Sequence, residues 1–282
     1  MASLKAIKKR ISSVKSTQKI TKAMKLVSAA KLRRATDRAH ASRPYEQELL
    51  QMVSGILQDV EWKSPLTAER KVEKTALVVL STDRGLCGSL NANIFKLALK
   101  RANELSQNKI EIVALGKKGA DFFRKRGFKV HATYLDMARN GNFGFISPIA
   151  KSIRDLFTQE KFDRIEVFYS KFQSAISQKA EQFTLLPFTP PKTNEAKSYI
   201  YEPAAAELLN SLVPMLIDFR LFRVVLESVA SEHGARMSAM DSATRNARDM
   251  IDRLTLERNR ARQAAITKEL MEIIGGAEAL VA

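Results

Sequence analysis

The stretch that decides the fold runs from Ala204 to Met271 and reads AAAELLNSLVPMLIDFRLFRVVLESVASEHGARMSAMDSATRNARDMIDRLTLERNRARQAAITKELM. Within it, a set of mostly apolar residues recurs at every third or fourth position. This is the spacing of a helix that contacts another helix along one line of residues, its seam. Gly234 is the only helix breaker between Pro214 and Gly275. At 1.5 Å per residue, roughly 60 to 70 helical residues would extend about 100 Å. A compact domain needs no helix of that length, so we expect this one to leave the globule and meet another helix.

The expected seam changes character along this helix. The seam residues are bulky up to Val229, and from Ala243 onward many of them are alanine or methionine. A few seam residues are polar. Small seam residues allow a second helix to approach closely, and that helix must come from elsewhere in the chain or from a partner. The expected seam residues are Leu208, Leu212, Met215, Phe219, Phe222, Leu226, Val229, His233, Arg236, Met240, Ala243, Ala247, Met250, Leu254, Glu257, Ala261 and Ala264.

The N-terminal segment predicts a second long helix, from about Ser3 to about Asp59. Residues 1–43 hold thirteen Lys or Arg and a single acid, Asp37. We expect Pro44 to kink this helix and residues 41–43 to be less regular. Two apolar series follow one another three residues out of phase, which predicts a stammer that would overwind a supercoil. The two series are Leu4, Ile7, Ile11, Val14 and then Ile20, Met24, Val27.

The basic N-terminal segment admits three interpretations from composition alone. It could be a solvated helix face, a transit peptide, or a surface that meets an acidic protein. The net charge of +17 over 282 residues predicts an acidic partner, whether nucleic acid, membrane surface or protein. The single cysteine, Cys87, excludes an internal disulfide framework, and no apolar run approaches the 18 residues of a membrane span.

Between the two helices, the pattern changes to short apolar runs that alternate with helical segments. Residues 60–72 predict a linker. Alternating strands and helices predict an α/β domain with a mostly parallel sheet, in which the last strand lies at an edge because of Pro187. The expected strands are 76–80, 110–115, 128–131, 164–169 and 183–188, and the expected helices are 91–105, 117–126 and 147–159, the last with Pro148 in its first turn.

We therefore expect an antiparallel coiled coil of the two terminal helices, with a Rossmann-like α/β domain inserted between them. The expected domains are residues 1–59, 60–203 and 204–282.

No motif in the chain predicts catalysis, a cofactor or a metal site. Gly85-Leu86-Cys87-Gly88-Ser89 follows a strand, where phosphate loops sit, but it matches neither GxxxxGK[ST] nor GxGxxG. A tight strand-to-helix turn with a buried Cys87 is the favoured interpretation. The three histidines lack ligand spacing, and the acidic residues suggest no catalytic pair.

Three separated motifs carry a resemblance to the gamma subunit of the F-type ATP synthases, in register over the whole chain. The first is Thr17–Lys25 with Ser42–Tyr45, and the second is Thr82–Asn91. The third is Ser231–Met237 with Asn259–Ala264 and Ile266–Glu269. Because the match starts near Met1, the resemblance argues against a cleaved leader.

The resemblance implies a rotor shaft. In that family a coiled coil threads a hexamer of alternating alpha and beta subunits, while the globular domain sits on the ring of membrane c subunits beside epsilon. The implied contacts with the beta subunits are Met24, Lys25, Arg33, Arg34, Arg262 and Gln263. The implied protein has no cofactor and no membrane span of its own, does not bind nucleic acid, and is peripheral on the cytoplasmic face of the bacterial inner membrane.

Nucleic-acid binding is the rival hypothesis. Thirteen basic residues near the N-terminus could neutralise several phosphates. The segment has no aromatic residue before Tyr45 and no nucleic-acid-binding signature, so the resemblance decides in favour of the rotor.

Overall fold

The computed structural model describes residues 4–60, 62–105, 109–189 and 201–281. Two compact units divide the chain: unit 1 comprises Met1–Val27 with Met237–Ala282, and unit 2 comprises Ser28–Arg236. The elements in chain order are α1 (Leu4–Asp59), β1 (Thr75–Leu80), α2 (Leu90–Leu105), β2 (Ile110–Leu115), α3 (Lys117–Arg124), β3 (Val130–Tyr134), α4 (Met137–Asn140), α5 (Phe143–Thr158), β4 (Arg164–Phe172), β5 (Gln178–Leu186) and α6 (Ala205–Val281).

Unit 2 is built on a five-stranded sheet in the order β3-β2-β1-β4-β5. All neighbouring strands are parallel except β4 and β5, which are antiparallel. The mostly parallel α/β domain is therefore confirmed, and so is the edge position of the last strand. That strand begins earlier than expected and ends at Leu186, before Pro187.

Side chains of the central strand β1 alternate between two cores. Val78 joins one cluster, which α1, α5 and α6 complete, while Val79 joins a second cluster with α2 and α3. All six residues of β1 are buried, because both faces of the strand are covered by helices. Helices thus form a layer on each side of the sheet, as a Rossmann-like arrangement requires.

Two expectations about the segments around prolines are wrong. Residues 41–43 are regularly helical, within a helix α1 that holds Pro44 in its interior. Helix α5 begins at Phe143, so Pro148 lies in its second turn. The start of α5 is set by Asn142, whose side-chain oxygen accepts a hydrogen bond from the Phe145 N–H at 2.8 Å. The short helix α4 was not expected.

Unit 1 is an antiparallel pair made from the beginning of α1 and the later part of α6. Residue numbers fall along α6 as they rise along α1: Ile7 and Ile11 cluster with Leu254, Thr21 meets Thr244, and Lys25 meets Asp241. The pairing of the two terminal helices is therefore confirmed. Val14 and Ala261 pack against the Ile7–Ile11–Leu254 cluster.

The α1 side of this seam contains no stammer, contrary to expectation. Ile20 and Val27 are 57% and 56% exposed, whereas Thr21 is buried. The seam keeps its alternating spacing of four and three residues throughout. Polar residues occupy the seam positions in the stretch where the apolar residues shift in phase. The seam residues of α1 in unit 1 are Ile7, Ile11, Val14, Gln18, Thr21 and Lys25.

The α6 side of the seam differs by one residue at several positions. Met250 is 44% exposed, and Glu257 and Ala264 are exposed as well, so all three seam assignments are wrong. The observed seam is Met240, Thr244, Ala247, Ile251, Leu254, Arg258 and Ala261.

In unit 2, α6 is buried over a wide surface rather than along one seam, because it covers the sheet. The residues that pack deepest there are Leu209, Val213, Leu216, Ile217, Leu221, Val224 and Val225.

Candidate partner-binding surface

The outer face of α1 in unit 1 carries three large apolar side chains among its basic residues, although it points away from the seam. Ile20, Leu26 and Val27 are 57%, 63% and 56% exposed. Ile20 and Val27 are two helical turns apart and so lie on the same side of the helix. This part of the helix buries the polar Thr21 and exposes three large apolar side chains, which is the reverse of the usual distribution. Such an exposed apolar stripe marks a surface for a partner.

Met24 and Lys25 lie at the border between this stripe and the seam. Met24 is half-buried. The Lys25 Nζ atom is 2.5 Å from Asp241 Oδ1, and the two side chains are 42% and 33% exposed. The hydrogen bond from Lys25 holds the pKa of the Asp241 carboxyl below its ordinary value. In this structure the Lys25 ammonium therefore faces a carboxylate of its own chain.

The other expected contact residues are exposed. Arg33 and Arg34 lie on α1 in unit 2, and Arg262 and Gln263 lie on α6 in unit 1. Among the described residues, none of these three arginines forms an ion pair. Arg262 is 21 residues beyond Asp241, about 31 Å along the helix. The structure thus keeps Arg262 and Gln263 together but places them far from Met24 and Lys25.

The end of α6 is a second exposed apolar surface, which the sequence analysis did not single out. All side chains from residue 262 to residue 276 are exposed. The seam contacts end at Ala261, so this stretch does not pack against α1 as the preceding turns do. Its large apolar residues are Ile266, Leu270, Met271, Ile273 and Ile274. The spacing 266, 270, 273 could have revealed it.

In unit 2, two of the three sequence motifs are in direct contact. The Arg236 guanidinium lies 3.3 Å from the Gly85 carbonyl oxygen and 2.7 Å from the Glu232 carboxylate. The Ser231 hydroxyl donates to the Ser170 carbonyl at 2.9 Å, at the end of β4. Gly234 packs so closely that an added Cβ would lie 3.3 Å from the Ala175 carbonyl oxygen. Residues 231–236 therefore fasten α6 to the loops of the sheet.

The loop after β1 has its polar groups occupied by neighbouring backbone. Asp83 accepts hydrogen bonds from the backbone N–H groups of Lys117 and Asp136, both at 2.9 Å. The Ser81 hydroxyl accepts from the Gly119 N–H at 2.8 Å. Cys87 is buried. At the start of α2 the Leu90 N–H donates to the Cys87 carbonyl at 3.3 Å, and Leu86 and Gly88 have φ angles of 65° and 59°. This geometry agrees with the interpretation of the motif as a tight strand-to-helix turn.

The carboxyl edge of the parallel strands is where nucleotides bind in Rossmann-like folds. Here Ser228 and Glu232 of α6 cover it, and together with Leu80, Ser81 and other residues they enclose a cavity of about 20 Å³. That space holds about one water molecule.

Buried charges near this edge have shifted pKa values. Burial raises the pKa of the Glu232 carboxyl, and the Arg236 guanidinium opposes that shift. Burial, together with the charges of Arg236 and Lys31, lowers the pKa of His233 to about 4. His233 is thus neutral at pH 7, and its buried position next to Gly234 gives it a packing role.

No group of three or more His, Cys, Asp or Glu side chains is placed to hold a metal ion in the described part of the chain. Among the helices that the structure describes, none has the length and apolar character needed to cross a membrane.

Comparison with known proteins gives one consistent result. The family model described as ATP synthase matches residues 3–280. The chain is 46% identical over 286 residues to the ATP synthase gamma chain of Geobacter metallireducens, with 99% of each chain covered. It is 47% identical over 287 residues to that of Geotalea uraniireducens, again with 99% of each covered.

Solved structures have the same architecture. A chain in the central stalk and c-ring structure of the Tetrahymena thermophila mitochondrial ATP synthase is 25% identical, with a TM-score of 0.60. That alignment covers 79% of this chain and 99% of the other. A chain of the Euglena gracilis mitochondrial enzyme matches with a TM-score of 0.72 and 23% identity over 98% of this chain and 94% of its own. With full-length relatives at this identity, the chain belongs to the gamma-chain family of the ATP synthases.

Proposed function

We propose that this chain is the central rotor shaft of an F-type ATP synthase, coupling ion-driven rotation of the membrane c-ring to ATP synthesis or hydrolysis at the beta subunits. The observation that carries the proposal is the full-length similarity to ATP synthase gamma chains. The antiparallel helix pair supports it, because its outer surface is basic and apolar where its own chain offers no cover.

A shaft can drive catalysis elsewhere without touching ATP. Ile20, Leu26 and Val27 occupy one side of α1, so the surface presented to surrounding subunits differs with direction. Each orientation of such a surface favours a different conformation of a neighbouring beta subunit, which shifts that subunit's population of states. Rotation then takes the three beta subunits through these states in turn.

In this proposal the chain itself catalyses nothing. Its Rossmann-like edge is covered by α6, and the remaining cavity has room for about one water molecule. The nucleotides would be held by the alpha and beta subunits. The chain would supply the contacts that change those subunits' conformations.

The contacts with the beta subunits are assigned to two regions of unit 1 and one region of unit 2. In unit 1 they are Met24 and Lys25 with the apolar stripe beside them, and Arg262 with Gln263. In unit 2 they are Arg33 and Arg34, which are exposed and free to meet acidic side chains. A guanidinium suits a carboxylate because it can donate two parallel hydrogen bonds.

The α/β domain would bind epsilon and the c-ring, and the complex would be peripheral on the cytoplasmic face of the bacterial inner membrane as part of the F1 sector. The comparison with a solved central stalk and c-ring assembly supports the contact with the c-ring.

Reconstitution tests the proposal. The purified chain should hydrolyse no ATP, should assemble with alpha and beta subunits into a complex that does, and should rotate in that complex when a bead attached to unit 2 is observed. A tagged chain isolated from cells should bring down the same hexamer. Recovery of RNA or DNA without the hexamer would instead establish the nucleic-acid hypothesis, and turnover by the chain alone would show that it is an enzyme.

A further inference from the structure

The seam of unit 1 contains a polar segment between two helices that elsewhere meet mainly through apolar or small side chains. The hydroxyl oxygens of Thr21 and Thr244 are 2.8 Å apart. One turn further along, Lys25 pairs with Asp241 at 2.5 Å. These are two successive polar links between α1 and α6, in the same stretch where α1 turns its large apolar residues outward.

The geometry of these links leaves little freedom. Thr21 is only 8% exposed, and its hydroxyl also lies 3.1 Å from the Gln18 carbonyl oxygen. The Thr244 hydroxyl lies 2.7 Å from the Met240 carbonyl oxygen. Buried hydroxyls must find partners within narrow limits of distance and angle, or they lose the free energy of solvation without compensation. Both hydroxyls have a carbonyl partner on their own helix, so the hydrogen bond from Thr244 to Thr21 is an additional one, and it forms only at one axial position.

The apolar part of the seam is less selective. Its buried cluster consists of Ile7, Ile11 and Leu254, and opposite the middle of the segment lies the small Ala247. Apolar contacts depend on area rather than direction, so a helix displaced by one heptad could still make them, although the smaller Ala247 or Ala261 would then replace Leu254 opposite Ile7 and Ile11.

The polar residues make arrangements in which α6 is shifted along α1 less favourable. If α6 were shifted by seven residues one way, Lys25 would face Arg248 instead of Asp241, and Thr21 would face Ile251. Shifted the other way, Thr21 would face Met237, which cannot donate the hydrogen bond that Thr244 donates in the observed register. Like charges therefore act against the first alternative, and loss of the bond between the two threonines acts against both.

We propose that Thr21, Lys25, Asp241 and Thr244 form a register lock, which fixes the axial position of α1 against α6 in unit 1. The lock accounts for the presence of polar side chains in a seam where apolar ones would bury more area. It also explains why the apolar residues of this part of α1 lie on the opposite face.

Charge exchange tests the register lock in the full-length chain. Spin labels on Lys15→Cys and Arg253→Cys, both exposed positions in unit 1, report the axial distance when Cys87 is replaced by Ala. The chain without further change should give one distance. Lys25→Asp should add a second population, because the introduced carboxylate repels Asp241 and attracts Arg248 in the displaced register. A shift of seven residues corresponds to about 10 Å along the helices.

Two further variants make the result decisive. The double variant Lys25→Asp/Asp241→Lys restores an ion pair and should restore the single distance. Lys22→Asp makes the same charge change at an exposed position outside the seam and should leave the distance unaltered. If Lys25→Asp does not fold by circular dichroism, Lys25→Met replaces it and should broaden the distance distribution. A single unchanged distance in the Lys25 variant, or no recovery in the double variant, overturns the proposal.

Discussion

Arg236 of α6 donates a hydrogen bond to the backbone carbonyl of Gly85 across 3.3 Å. The same guanidinium pairs with Glu232, and both side chains are almost fully buried. Arg236→Ala would leave the Glu232 carboxylate buried without its partner, so we expect the free energy of unfolding to fall by about 3 to 5 kcal/mol. Urea unfolding of the purified chain measures this change. The double variant Arg236→Ala/Glu232→Gln should recover part of the loss, and a single variant as stable as the wild type would contradict the prediction.

Leu254 and Met250 provide a matched pair of truncations in α6. Leu254 is 6% exposed and Met250 is 44% exposed. Leu254→Ala should therefore destabilise the helix pair by about 2 to 5 kcal/mol, while Met250→Ala should cost well under half of that. Thermal unfolding of the two variants under identical conditions distinguishes them. Equal losses would mean that the seam passes between the two residues instead of through Leu254.

Arg262 and Gln263 should matter for coupling and hardly for folding. Both side chains are exposed, so Arg262→Ala and Gln263→Ala should leave the melting temperature of the isolated chain nearly unchanged. In the assembled complex, each loses a bond worth about 1.5 to 3 kcal/mol if it is shielded from water, and ATP hydrolysis should fall. Arg253→Ala, also exposed on α6, is the control. A lowered melting temperature together with normal hydrolysis would make Arg262 and Gln263 structural residues.

The apolar stripe of α1 should be needed for assembly. Ile20→Ser with Val27→Ser removes two exposed apolar side chains, so the isolated chain should be as stable as the wild type. If a partner buries both side chains, the affinity for the alpha–beta hexamer should fall by about 1.5 to 3 kcal/mol per residue. Titration of labelled chain with the hexamer measures this effect. Ile176→Ser, which alters an 85% exposed residue of unit 2, serves as the comparison, and equal affinities of all variants would refute a role for the stripe.

His233 predicts a particular pH dependence of stability. Burial lowers its pKa to about 4, from an ordinary value of 6.5. Because the folded chain holds the imidazole neutral, its contribution to stability is complete above pH 6.5 and is lost as the pH falls from 6.5 towards 4. His233→Gln should reduce the slope in that interval by up to about 1.4 kcal/mol per pH unit. Parallel slopes for the two proteins in urea titrations would show that His233 keeps its ordinary pKa.

The alternation of strands and helices could be predicted from sequence because each element has a strong local signal. The five apolar residues that follow Thr75 in β1 and the long basic helix are such signals. Which residues of the two long helices face each other could not be predicted as reliably. Met250 and Ile251 are adjacent and both apolar, so the sequence of α6 alone cannot decide which one faces the partner helix. Only the position of α1 decides it.

The outer stripe of α1 illustrates a second reason. Ile20 and Val27 looked like seam residues, since an apolar residue in a helix is usually buried within its own fold. Here the seam positions belong to the buried Thr21 and the half-buried Lys25, whose partners Thr244 and Asp241 lie more than 200 residues away in sequence. The contact between Arg236 and Gly85 was hidden for the same reason, although both residues belong to motifs that the sequence analysis had singled out.

The exposed end of α6 sets a condition on how this protein can be produced. Residues 262–276 display five large apolar side chains on a stretch of helix whose side chains are all exposed among the residues that the structure describes. Newly made chains would associate through this surface or be cut by proteases there, since a helix with few packing contacts opens readily. Synthesis in step with the other subunits would prevent both outcomes. The yield of intact protein should therefore rise when the chain is co-expressed with subunits that enclose this segment.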